Sequence, residues 1–283
     1  MLYTWQVNFY DLYFPTVSDI SIQNGIHKGR IWWCPTGPFT HLPIHAAAPL
    51  DQDPFIHSYT STLGALLQAY EKLDVPEAAK GNTVEIITVI APSMIAGQKR
   101  HDIPYAVEEV KKITSAVGAN RIDVLLGKQA TVNEVSAHLP TCTWLHLVCH
   151  GHQHSSDPLK SYLMLHNGEL ELAQILDTAL PRAGFAFLSG CETRMGDAHL
   201  VNESMHLAGA MICAGFCGAI GTMWGIADWD MPKVANMVYT ELFKNNRVPK
   251  VDEAAHALNV AVQTMRRHGV PLHRWLPFVH IGV

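Results

Sequence analysis

An α/β fold, with a mostly parallel central sheet covered by helices on both faces, is predicted by three features of this 283-residue chain. Short apolar runs alternate with helix-length segments of amphipathic spacing over most of its length. Two of those runs, Trp144-Leu145-His146-Leu147-Val148-Cys149 and Gly184-Phe185-Ala186-Phe187-Leu188, are nearly continuous, as strands buried on both faces are. Each then ends at a reactive side chain beside glycine: His150-Gly151 in the first case, Ser189-Gly190-Cys191-Glu192-Thr193 in the second. Chemistry in open α/β sheets collects beyond the carboxyl ends of such strands.

The remaining elements follow in order. Residues 1–29 read as a short helix or an incoming linker. Arg30 to Cys34 is a strand stopped by Pro35 and Gly37, followed by a Pro/His-rich loop from Pro38 to Pro54 and a helix from Ser61 to Leu73. Val84 to Ala91 is β-branched and closed by Pro92, the strongest strand signal in the chain. Tyr105 to Val117 has helical spacing, with Val107, Val110, Ile113 and Val117 on one face. Ile122 to Leu126 is a strand, and Thr131 with Glu134 forms a capping box that opens a helix to His138. Asn167-Gly168 between Tyr162–His166 and Glu169–Leu172 signals a hairpin. Helices are expected over 173–180, 203–214, 231–243 and 251–267, with strands over 218–223 and from Trp275 to Ile281.

Composition narrows the function classes. Hydrophobic residues make up 48% and charged residues 16%, against about 25% charged in a typical soluble domain, so a large core is available. A net charge of −5 gives no nucleic-acid footprint. No apolar stretch has the length of a membrane span, and the N-terminus lacks the basic start of a signal peptide. Cys34, Cys142, Cys149, Cys191, Cys213 and Cys217 show no paired framework, which fits a reduced, cytoplasmic protein with free thiols. Cys213 and Cys217 sit among Ala, Gly and Phe and read as packing residues.

Cys191 is the candidate nucleophile, because it lies past its apolar run in a polar neighbourhood. His150 is the candidate base, since an imidazole near a thiol takes its proton and the thiolate attacks. The Gly151 N–H offers an oxyanion donor. A competing reading, zinc-dependent hydrolysis, rests on the crowding of Cys149, His150, His152 and His154. It lacks a second ligand pair, and adjacent strand residues 149 and 150 point to opposite faces. Neither a metal nor another cofactor is therefore expected. Asp228 and Asp230 follow another strand end; they either cap the next helix or line a specificity pocket.

Leu147-Val148-Cys149-His150-Gly151-His152-Gln153 and Ala186-Phe187-Leu188-Ser189-Gly190-Cys191-Glu192-Thr193 resemble the His-Gly and Ser-x-Cys-Glu-Thr signatures of CHAT domains. These are caspase-like domains often found behind tetratricopeptide repeats. The likeness continues through Glu203 to His206, Gly221-Thr222-Met223-Trp224, Asp228, Asp230 and Trp275 to Gly282, and the Arg30 to Pro43 segment looks like the fungal type. It spans residues 30–283, which leaves 1–29 as an extension or linker. The resemblance implies a caspase-like three-layer α/β/α sandwich and a cysteine endopeptidase with a Cys191–His150 dyad. It also implies an oxyanion hole from the N–H groups of Gly151 and Cys191, and a basic P1 side chain received by Asp228 or Asp230. Implied partners are a protein substrate and a regulatory partner or tetratricopeptide-repeat region outside this chain. Neither nucleic acid nor membrane is implied. His154 departs from the acidic residue many relatives carry at that place. The alternative is a scaffold whose dyad is present but silent, acting in signalling or interaction.

Overall fold

The computed structural model describes residues 29–46, 55–73, 86–90, 94–95, 98–99, 105–152, 154, 157–189 and 203–283. Its main sheet has eight strands in the order β1 (Gly29–Trp33), β2 (Phe55–Tyr59), β13 (Phe278–Gly282), β12 (Gly218–Thr222), β11 (Phe185–Leu188), β7 (Trp144–Val148), β3 (Ile86–Ile90) and β6 (Ile122–Leu126). Every neighbouring pair is parallel except β12 and β13. The sheet is thus two parallel blocks facing opposite ways, joined at one antiparallel seam. Beside it, β8 (Gly151–His152), β9 (Tyr162–Leu165) and β10 (Gly168–Glu171) make a small antiparallel sheet, and β4 (Met94–Ile95) pairs with β5 (Gln98–Lys99).

The continuous apolar runs are strands buried on both faces, as their sequences require. Every residue of β7, β11, β12 and β13 is buried. Alternation divides the core in two. Leu145, Leu147, Cys149, Ala186 and Leu188 pack with Val135 and Leu139 around α3 (Val132–His138), and with Leu207 and Met211 of α5 (Glu203–Cys213). Trp144, Phe185, Phe187 and Ile220 face the other way. They meet Ile113 of α2 (Ala106–Val117), Val238 of α6 (Met231–Leu242) and Ala261 of α7 (Ala254–Arg267). The result is a caspase-like three-layer α/β/α sandwich. Among the described residues, no helix is long and apolar enough to cross a membrane.

Several elements differ from their sequence patterns for physical reasons. Phe55-Ile56-His57-Ser58-Tyr59 carries two polar residues in a row and lacks a strand signature, yet pairing with β1 makes it β2. The loop before it holds two short 3-10 turns, Gly37–His41 and Ile44–Ala46. Trp275 ends a short helix, α8 (Leu272–Trp275), and Pro277, which has no N–H to donate, delays the last strand to Phe278. In the hairpin, Gly168 pairs with Leu165, so the turn residues are His166 and Asn167. The Asn167 side chain accepts from the Val132 N–H at 2.8 Å, adding a second cap to the helix that Thr131 already caps through the Glu134 N–H. The helix expected over 173–180 is shorter, α4 (Leu172–Leu176). Cys34, Cys142, Cys149, Cys213 and Cys217 are thiols outside any disulfide; Cys213 is exposed rather than packed, while Cys217 is buried.

A buried polar cluster crosses β1, β2 and β13. Arg30 Nε donates to Ser58 Oγ at 2.9 Å, and Arg30 also lies 3.0 Å from His280 Nδ1, with Ser58 Oγ 3.1 Å from the same nitrogen. Burial, and then the Arg30 charge, hold the His280 pKa well below its ordinary 6.5. The imidazole is therefore neutral when folded and takes a proton near pH 6.5 when unfolded, so the unfolded chain binds the extra proton as pH falls. Stability from this group is complete above that pH and is lost below it, at up to about 1.4 kcal/mol per pH unit. Denaturant titrations between pH 7.5 and 5 should show this slope, and His280→Gln should be shallower by that amount; equal slopes would contradict the assignment.

Candidate active site

The first reactive strand end is rigidly built. Beyond β7 the chain bends into β8, where Gly151 pairs with Leu163 and His152 with Tyr162. The His150 carbonyl accepts from the Met164 N–H at 2.7 Å, so backbone bonds fix both flanks of the imidazole. His150 is 8% exposed. Its neighbour Cys149 packs in the core layer of Leu145 and Leu147, where burial pushes the thiol up to about 12. A buried neutral thiol there is poorly suited to join His150 on a metal. His154 is engaged in its own loop: its N–H donates to Ser161 Oγ at 3.1 Å, and its Nδ1 accepts from the Asp157 N–H at 3.1 Å. His152 lies on the surface against the Tyr162 ring.

The second strand end is adjacent. Phe187 pairs with His146 and Leu188 with Leu147, and the Ser189 N–H extends the ladder to the Leu147 carbonyl at 2.7 Å. Residues 190–202, and with them Cys191, lie outside the described residues. What is described is the departure point of that segment, next to β7 and at the same edge of the sheet as His150.

The two aspartates after β12 have separate fates. Asp228 is partly buried; burial raises its pKa, and the nearby His150 opposes that rise. The loops after β7 and β12 therefore bring an imidazole and a carboxylate into each other's field. Asp230, 1% exposed, instead receives both arms of Arg274, Nε at 2.7 Å and a terminal nitrogen at 2.5 Å. That bidentate pair raises the Arg274 pKa, with the hydrogen bonds as the leading cause. Asp230 occupies the N-cap position of α6, but its side chain makes no capping hydrogen bond. Its carboxylate ties the start of α6 to α8.

One group of residues escaped the sequence reading. On α2 the buried positions are Ala106, Glu109, Ile113 and Val117, whereas Val107, expected inward, is 50% exposed. Glu109 accepts a hydrogen bond from Ser189 Oγ and lies 3.0 Å from His146 Nε2. His146 Nδ1 lies 3.2 Å from the Tyr239 hydroxyl, and its ring stacks near Phe187 at 4.9 Å. The signals were a histidine inside an otherwise apolar strand and a glutamate in helical register with Ile113 and Val117.

The chain matches the CHAT domain family over residues 9–283, which reaches upstream of the residue-30 start that the motifs suggested. None of the curated proteins matches it. Among solved structures it is similar to the complex of the pro- and mature domains of RgpB from Porphyromonas gingivalis, with a TM-score of 0.57 at 9% identity. That match covers 95% of this chain and 67% of the other. A second similarity is to gingipain R (RGPB), described as an Arg-specific cysteine proteinase, with a TM-score of 0.49 at 10% identity. It covers 81% of this chain and 54% of the other. At such identities the first likeness establishes the fold.

The Asp230–Arg274 pair yields a stability prediction. Removing Arg274 leaves the buried Asp230 carboxylate with the exposed Lys233 ammonium, 3.7 Å away, as its remaining cation, at a cost of about 1–3 kcal/mol. Arg274→Met should lower the denaturation midpoint accordingly, and Asp230→Asn combined with Arg274→Met should recover part of the loss. Strict additivity of the two changes would show that the pair is not coupled.

Proposed function

Because the chain belongs to the CHAT domain family, whose signatures it carries at His150-Gly151 and Ser189 to Thr193, we propose that it is a cysteine endopeptidase with a Cys191–His150 dyad. The observation that carries this reading is the register of β7 with β11. Each β11 residue lies as many positions after its β7 partner as Cys191 lies after His150, in strands that run side by side to their ends.

In the proposed cycle, His150 takes the Cys191 proton and the thiolate sulfur attacks the carbonyl carbon of the scissile peptide. The carbonyl π electrons move to oxygen, and the oxyanion accepts hydrogen bonds from the backbone N–H groups of Gly151 and Cys191. On collapse the C–N bond breaks, and protonated His150 gives its proton to the departing amine. Water, deprotonated by His150, then hydrolyses the thioester and regenerates the thiol. Gly151 suits this role because the β8–β9 pairing holds its backbone in one position.

A basic P1 side chain is the matching substrate feature. A cation entering a partly desolvated cleft needs a carboxylate. Asp228 is the available one, since Arg274 occupies Asp230. Arginine matches a carboxylate with two parallel hydrogen bonds and is the preferred P1 residue over lysine.

Two measurements test the proposal. An electrophilic thiol probe should label the wild type at Cys191 and fail to label Cys191→Ala, with His150→Ala slowing labelling by about 100-fold or more. A peptide-library profile should show cleavage after Arg and Lys, and Asp228→Asn should lose about 10- to 100-fold on those substrates without loss of fold. Cleavage after Asp would overturn the P1 assignment. An unreactive Cys191 with no cleavage would leave the silent scaffold as the reading.

A further inference from the structure

Glu109 is an anomaly as a packing residue. A carboxylate 1% exposed, in line with Ile113 and Val117 on the inner face of α2, costs several kcal/mol unless donors reach it. Its donors come from the two strands that lead to the proposed dyad. Ser189 Oγ, at the carboxyl end of β11, donates to Glu109 Oε1. His146 Nε2, on the neighbouring β7, lies 3.0 Å from the same oxygen. Tyr239 of α6 completes the set at His146 Nδ1.

One arrangement gives every contact a donor and an acceptor. Ser189 O–H and His146 Nε2–H donate to Glu109 Oε1, and Tyr239 O–H donates to His146 Nδ1. Each atom in these three contacts then has a partner, in a setting where all four residues are buried. Burial and the Glu109 charge both raise the Tyr239 pKa, keeping that hydroxyl protonated as the arrangement requires.

Resting on the peptidase reading above, we infer that Glu109 is a positioning residue for the proposed nucleophile. Through Ser189 it fixes the carboxyl end of β11, the point from which the Cys191 segment departs. Through His146 it references that point to β7, the strand that leads to His150. The ladder bond from the Ser189 N–H to Leu147 holds the backbone there, and the Ser189 hydroxyl bond adds rotational definition two residues before Cys191. An apolar residue at 109 would fill the volume without recording the relative position of two strands. Oriented hydrogen bonds do record it, and small misplacements of a reacting group cost large factors in rate.

The test measures alkylation of individual cysteines by iodoacetamide, read by mass spectrometry, in the full chain. Exposed Cys34, remote from this network, is the internal standard. In the wild type Cys191 should react faster than Cys34. Ser189→Ala and Glu109→Gln should each lower the Cys191-to-Cys34 rate ratio by about 10-fold. Ser189→Thr, which keeps the hydroxyl, should restore most of it. On a peptide substrate the same variants should lose kcat with KM within twofold, whereas a purely structural role would lower the unfolding midpoint and leave kcat alone. Ser189→Ala carries the test if Glu109→Gln fails to fold, because it leaves the Glu109–His146 contact in place. A fast wild-type Cys191 whose rate ratio is unchanged in the variants overturns the positioning role and leaves the peptidase reading standing. A wild-type Cys191 no faster than Cys34 overturns the peptidase reading, and this inference with it.

Discussion

A carboxylate withdrawn from water must be met by donors, and in this protein the requirement organises the sheet edge around Glu109. The strands that meet there are otherwise apolar, so they pack well without being told which end of β11 belongs beside which end of β7. Hydrophobic contacts are non-directional. The Glu109 contacts to Ser189 and His146 are directional, and they fall at the place where two loops must leave the sheet in a fixed relation. Tyr239 extends the same constraint to α6, the helix that follows the Asp228 loop. One buried charge thus refers three loops to a common frame.

Asp228 and Asp230 show how proximity in sequence conceals different physical tasks. Asp230 is nearly inaccessible and is neutralised by a planar, two-armed guanidinium, which fixes the helix start it belongs to. Asp228, two positions earlier, keeps contact with solvent and lies within the field of His150. The buried pair makes the loop stiff; the partly open carboxylate is displayed by that stiffness. A carboxylate presented on a loose loop would waste its orientation in side-chain and backbone entropy.

Legibility in the sequence followed burial. Trp144 to Val148 and Phe185 to Leu188 declare themselves because strands covered on both faces have to be apolar throughout. The mostly parallel sandwich follows from their alternation with amphipathic segments. β2 was illegible because Phe55 to Tyr59 owes its strand conformation to β1 and β13 rather than to its own residues. The inner face of α2 was misread for a related reason: Val107 looks like core and Glu109 like surface until the donors on β7 and β11 are in place. The division of labour between Asp228 and Asp230 depends on Arg274, which is distant in sequence and carries no local mark.

The pairing of β2 with β13 bears on how the chain reaches this state. Among the described residues, β2 joins the rest of the sheet's backbone ladder through β13, a strand more than two hundred residues later, and β1 joins that ladder through β2, with the Arg30 and Trp32 side chains reaching β13. The β2–β13 pairing is thus among the longest-range contacts the chain makes, and its loop-closure entropy delays it. The block containing β7 and β11 draws on strands and helices closer in sequence and can consolidate first. The β2–β13 pairing then acts as the last joint to close and the first cooperative boundary along which the sheet can part. The order of assembly would build the candidate site's framework before the β1–β2 edge docks.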